Sequence, residues 1–487
     1  MECGESRHSH FACPDDCPHN PFRVAAYGEL LELERRLDPD LMLRLADENP
    51  AGMQRFLSMA RAGDELRANA IAHSLLFFER DAAGRTFAER LLDRAGSGLR
   101  NDERVLLRGK ARMRIALIEV HRVLDAERVE VVDLLDPAGQ PLLIVDRQLA
   151  AIAPRFFTGL AAIYPLPHFW RMSGTAITLG DLGPLPAREV AETCVTHLGG
   201  PGEYVARQRW LAENFARMGE TFAAVSHERR RLMFAGIDGA WGAATYTLLE
   251  PGAQALRRLR AEPKVEPDGL APEEAKAGFS RAFVWFAGDE AGKVPSLEGP
   301  DTQVLLGRVL VGKREWRLEA MGRKRLNELR ERFEARMGEA VAFSRERVDD
   351  LTARMAANEP VPNPELLPPR LLEDPSELLL TTSRLEEPPP GVSSAEHLAA
   401  LRRGNLRAWP DESLPALDGR TPRAAALDPA LRPRVIELVK RQVRQVDEEN
   451  RRDRRSDDVN ELIRALGLTE IDFPPPPFEK ASAPRRR

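Results

Sequence analysis

The residue types best suited to chemistry crowd into the first 19 positions: Cys3, His8, His10, Cys13, Cys17 and His19. Cys13-Pro14-Asp15-Asp16-Cys17-Pro18-His19 puts two thiols and an imidazole in one short stretch, and the proline after each cysteine stiffens the turn that presents the sulfur. Zinc takes four sulfur or nitrogen donors in a tetrahedron, and Cys3 or His10 could complete the set that Cys13, Cys17 and His19 begin. The expected ligands are Cys3, Cys13, Cys17 and His19, in a structural rather than a catalytic site. An iron–sulfur cluster needs about four thiolates, so Cys194 would have to join from far away. The plain alternative is a polar terminus with free thiols.

Other candidates are isolated. His168 sits in Tyr164-Pro165-Leu166-Pro167-His168-Phe169-Trp170, where aromatic side chains at a barrel edge could make a ligand pocket or a base-stacking platform, or simply pack. Cys194 and His197 share a helical face, but a cysteine nucleophile also needs an activating environment. His73, among Ile71, Leu75, Phe77 and Phe78, reads as a packed helix residue. His227-Glu228-Arg229-Arg230-Arg231 starts like a zincin motif but has no second histidine four residues on. P-loop, G-x-G-x-x-G, G-x-S-x-G and EF-hand patterns are all missing. No catalytic residue is assigned, and an enzyme is the less favoured reading.

The chain has 487 residues, 43% hydrophobic and 30% charged, enough for about three domains with real cores. No run approaches the roughly 20 apolar residues that span a bilayer, and Met1-Glu2-Cys3-Gly4-Glu5 lacks a signal-peptide core, so the expectation is a cytoplasmic protein without membrane contact. With 71 Lys and Arg against 76 Asp and Glu, the net charge of −5 excludes a generally basic coat but permits local basic faces. Four cysteines do not make a disulfide scaffold.

Apolar spacing predicts helices from Phe22 to about Gly109, with Asp38-Pro39 stopping one and starting the next. From Arg112 the text becomes β-branched. Ile115–Val123, Val129–Leu135, Pro141–Val145, Phe156–Tyr164 and Phe169–Leu179 supply the four to six short strands of a small barrel or half-barrel. Helical text resumes from Ala187 to about Leu249. Ala282–Phe286, Val304–Val311 and Arg314–Leu318 then lead into an amphipathic helix through Leu326, Leu329, Phe333 and Met337. Nine prolines in 358–391 read as a linker. The expected class is α+β, multidomain: a Cys/His metal-binding segment at 1–21, a helical domain at 22–110, a β-barrel-like domain at 111–182, a helical segment at 187–250 and an acidic loop at 251–278. A β-β-β-α unit at 279–357, the linker at 358–392, a helical module at 393–472 and a disordered tail at 473–487 complete it. The basic stretch from Val439 to Arg455 is interrupted by Asp447, Glu448, Glu449 and Asp453, which favours a solvated helix face over phosphate contact.

In the last module, Trp409-Pro410-Asp411-Glu412-Ser413-Leu414-Pro415-Ala416-Leu417-Asp418-Gly419-Arg420-Thr421-Pro422-Arg423-Ala424-Ala425-Ala426 resembles the P-x-L-x-G-x-T-P-x-x-A signature of the MbcA/ParS/Xre-type antitoxin toxin-binding domain. More loosely, Glu103–Leu179 and Leu306–Ala320 are similar to large bacterial proteins of unassigned function that carry this signature with SEC-C-like zinc motifs. The residues also speak for themselves: Pro415 and Leu417 make an apolar entry, Gly419 permits a positive-φ turn, and Thr421 caps a helix that starts at Pro422. The resemblance implies partner binding through Trp409, Pro415, Leu417, Gly419, Thr421 and Pro422. The expectation is therefore a non-catalytic bacterial interaction or regulatory adaptor with a structural zinc site and a toxin-binding-like module. The alternative is a nucleic-acid-binding regulator using the barrel and the Arg-rich helix.

Overall fold

An unbroken apolar run needs cover on both faces, and Ile115–Ile118 is such a run: it lies in strand β1 (Arg114–Val123), which is buried from Ile115 through Val120. The computed structural model of the protein describes residues 2–94, 96–180, 185–236, 238–287, 305–372, 391, 393, 400, 404, 406–453 and 457–477. In it β1 is joined by β2 (Arg128–Asp133), β3 (Pro141–Val145), β4 (Thr158–Pro165) and β5 (Trp170–Thr178). They close into a barrel in the order β1-β2-β3-β5-β4, with only β3 and β5 parallel. Ile118, Val120, Val131, Ile144 and Ile163 fill its interior. Ile115, Leu117, Leu160 and Tyr164 point outward into a helical layer. The five segments that read as β-branched are the five barrel strands.

That layer comprises α1 (Glu2–Ser6), α2 (Tyr27–Glu48), α3 (Pro50–Arg61), α4 (Glu65–His73, continuing as a π turn to Phe78), α5 (Phe87–Asp93) and α6 (Asn101–Lys110). Farther along lie α7 (Arg147–Ile152), α8 (Ala187–His197), α9 (Tyr204–Glu213) and α10 (Phe215–Gly236). The expected break at Asp38-Pro39 does not occur, because α2 runs straight through Pro39. Leu30, Leu33, Leu37, Leu41 and Leu45 form one continuous buried stripe, while Pro39 is exposed, so water can satisfy the carbonyl that the proline orphans.

The chain divides into two compact units: Met1–Ser226 with Asn363–Leu371 and Arg432–Arg487, and His227–Pro362 with Leu372–Leu431. The second contains a six-stranded antiparallel sheet ordered β11-β6-β10-β9-β8-β7. Its strands are β6 (Ala240–Leu248), β7 (Val265–Asp268), β8 (Phe279–Phe286), β9 (Leu305–Gly312), β10 (Glu315–Met321) and β11 (Val341–Asp350). Helices α11 (Gly252–Arg260), α12 (Pro272–Lys276), α13 (Arg323–Met337) and α14 (Leu351–Asn358) accompany it. Leu326, Leu329, Phe333 and Met337 of α13 pack on Tyr246, Trp316 and Leu318. The expected β-β-β-α unit is thus the middle of a larger sheet. β6 was read as helix because Ala240-Trp241-Gly242-Ala243-Ala244 lacks β-branched residues. Close packing demands that: a Cβ on Gly242 would stand 2.6 Å from Leu326 Cδ2.

The signature residues lie in this unit and lead into α15 (Pro422–Ala426). Beyond them α16 (Arg432–Asp453) and α17 (Asn460–Ala465) belong to the barrel unit. Most of the Pro-rich segment, 373–390, and the last ten positions, 478–487, lie outside the described residues.

Candidate functional site

An open cleft of about 660 Å³ lies where the N-terminal segment meets α6 and the β4–β5 turn. It joins two groups of residues that the sequence offered separately: His8 and His10 from the terminus, and His168 from the barrel lip. Arg108 and Arg112 complete its basic lining, and no Asp or Glu is among the described residues that line it. Two features not apparent from spacing build this place. Asn20, fully buried, accepts from His8 Nε2 (3.3 Å) and from the Phe22 amide (3.0 Å) and donates to Pro14 O (3.2 Å). His168 Nε2 donates to Cys13 O at 2.8 Å, which pins the same segment to the barrel. Gly109 then lets α6 touch the turn, since a Cβ there would stand 2.5 Å from Pro165 O.

The histidines are held in an unusual way. His8 has φ of +55°, a left-handed conformation that costs a non-glycine residue energy. Burial, aided by the neighbouring His168 and Arg7, lowers its pKa below the ordinary 6.5 in spite of the bond to Asn20. The aromatic side chains around His168 pack instead of forming a platform: Tyr164 and Phe169 turn into the core and Trp170 lies under the Arg114 guanidinium at 4.6 Å.

The cysteine segment is adjacent. Cys13 is buried, Cys17 half-buried and His19 exposed. Among the described residues no three His, Cys, Asp or Glu side chains converge as a metal ligand set, and the Cys3 side chain lies outside those residues.

The basic helix α16 is occupied by the barrel rather than solvated. Lys440 Nζ lies 2.9 and 3.0 Å from the two Glu119 oxygens on β1 and 3.1 Å from Glu437. Burial alone would depress the ammonium, but Glu119 and Glu437 outweigh it and raise Lys440 above its ordinary value. Burial likewise pushes against Glu119, yet Lys440 and His121 hold it below 4.5, whereas for Glu437 burial prevails and raises it. Nearby, the fully buried Arg155 makes a two-pronged pair with Asp447 at 2.8 and 2.9 Å, and its Nη1 donates to Asn460 Oδ1 and Phe473 O at 2.7 Å. Arg444 donates to Phe156 O at 3.1 Å. Neither Arg155 nor Glu119 was singled out by sequence; nothing local marks a charge whose partner lies about 300 positions away.

The remaining candidates are structural. Cys194 is fully buried and its thiol is pushed up to about 12 by that burial, while His197 donates to Glu365 O at 2.9 Å; no thiolate is available at neutral pH. Burial lowers His73 to about 4, and its Nε2 meets Ser173 Oγ at 3.0 Å. His227 bonds Glu359 at 2.7 Å. In the signature segment, Thr421 Oγ1 caps α15 through the Ala424 amide, Pro422 takes the first helical position, and Gly419 has φ of +75°. Leu417 and Pro422 are buried, Trp409 is half-buried, and the side chain of Pro415 lies outside the described residues. Among the described residues no helix is long and apolar enough to cross a membrane. Comparison with protein-family models, curated proteins and solved structures gives no match.

Proposed function

We propose that this protein is a non-catalytic, cytoplasmic regulatory adaptor that contacts a protein partner through the segment from Trp409 to Leu431. The observation that carries this reading is local. The segment closes on itself as its residue types demand, through the Thr421 cap, the positive-φ turn at Asp418 and Gly419, and the Arg423–Asp411 ion pair at 2.7 Å. It thereby presents Leu427, which is 82% exposed, immediately after the buried Ala425 and Ala426. In this reading Leu427 is the apolar contact that the self-capped unit offers its partner. Burial of the Cys194 thiol argues against that residue as a nucleophile. A structural zinc held by Cys3, Cys13, Cys17 and His19 is part of it, checked by the metal content of the purified chain.

The test is capture of partners by the full chain, compared with Leu427→Glu and with Arg35→Ala, a solvent-exposed control. The reading expects one set of proteins to be lost with Leu427→Glu and kept with Arg35→Ala. Identical protein sets for all three baits would contradict it.

A further inference from the structure

We propose that the cleft between the N-terminal segment, α6 and the β4–β5 turn is a binding site for a small phosphorylated molecule with an apolar body. Its charges are arranged for an anion. Arg112, exposed at the mouth, has no side-chain hydrogen bond or ion pair among the described residues, and Arg108 gives one donor to His8 O at 3.2 Å and keeps the rest. Asp102, on the same helix, is taken by Arg7 at 3.1 Å. Two guanidinium groups therefore face one concavity that no described carboxylate lines.

The imidazoles add direction. His8 and His168 donate from Nε2 to Asn20 and to Cys13 O, so Nδ1 of each ring is the nitrogen a ligand meets. In the neutral ring it accepts from the hydroxyl of a singly protonated phosphoryl group, and it donates only once the ring is protonated. His10 stands beside them, exposed, against Ser9 Oγ. A phosphoryl group has three terminal oxygens, enough for two arginine forks and an imidazole together, whereas a carboxylate is satisfied by a single fork. Val105, Leu166 and the exposed ring of Phe11 supply an apolar wall, so the ligand carries more than the anion. Asn20 fixes the His8 imidazole and the His8 amide bonds Phe11 O at 2.7 Å, so the left-handed backbone of His8 is held in place before any ligand arrives. This inference does not depend on the partner reading of the C-terminal segment.

Calorimetric titration of the full chain with phenyl phosphate, inorganic phosphate and benzoate tests it. Phenyl phosphate is expected to bind more tightly than either of the others, and Arg108→Ala/Arg112→Ala to weaken it at least about tenfold. Arg35→Ala should bind like the unaltered chain, and the exposed positions of Arg108 and Arg112 should leave the melting temperature of the double variant unchanged. Proton resonances of His8, His10 and His168 should shift on titration. No binding of phenyl phosphate at millimolar concentration, equal binding by the double variant, an equal loss in Arg35→Ala, or equal affinity for benzoate would each overturn the proposal.

Discussion

Where α16 meets the barrel, Lys440, Arg444 and Arg155 each end on an acceptor within the protein, and Asp447 and Glu119 are buried with them. Around the N-terminal cleft of the same unit, Arg112 ends on no acceptor among the described residues, and three imidazoles face the same space. Both regions draw on an arginine-rich composition. One uses its charges to fix a distant stretch of chain onto β1; the other leaves them for something outside. Basic text therefore does not say what it binds until its acceptors are known, and the more basic-looking stretch is here the one already occupied.

The largest expected effect breaks the occupied side. Asp447→Ala leaves the Arg155 guanidinium buried without its counter-charge, and loss of one partner of a buried pair costs about 3–5 kcal/mol. Urea unfolding of the full chain measures it; a loss under about 1 kcal/mol would mean that α16 does not depend on this clamp.

A smaller effect sharpens the contrast between two carboxylates that share one ammonium. Glu119 is held below 4.5, so its contribution is present above that pH and is lost as pH falls through its folded pKa. Glu437 is raised above 4.5: just above that pH the folded chain holds a proton that the unfolded chain has released, so stability declines as pH rises through its folded pKa. Glu437→Gln should remove this decline, with a gain of about 1 kcal/mol or less at pH 7. Unfolding followed from pH 4 to pH 7 reads it, and a steeper decline in the variant would reverse the assignment.

The five barrel strands were legible because Ile115–Ile118 is apolar throughout and Val129–Asp133 alternates buried with half-buried positions, and the Asp418-Gly419 turn and Thr421 cap were legible because their chemistry is local. Strand β6 was hidden by the small residues that let α13 approach, and the unbroken α2 by a proline that its apolar stripe outweighs. His8, His10 and His168 were each visible, but not their meeting place, which rests on Asn20 reaching His168 across 148 positions and on Gly109 letting α6 touch Pro165. Arg108 and Arg112 carried no signal in a chain with 71 Lys and Arg. The docking of α16 was the furthest from view. Its pattern of mixed charges is that of a solvated helix, and only the burial of Val439, Val443, Asp447 and Asn450 distinguishes it.

The most direct measurement is a double-mutant cycle of Glu119→Gln and Lys440→Met, with unfolding free energies for each single variant and for the pair. If β1 and α16 are joined by a buried, mutually dependent ion pair, the double variant will recover about 2 kcal/mol relative to the sum of the single losses. Additive losses within about 0.5 kcal/mol would show that the two charges do not depend on each other, and that α16 is not held to the barrel in the way described.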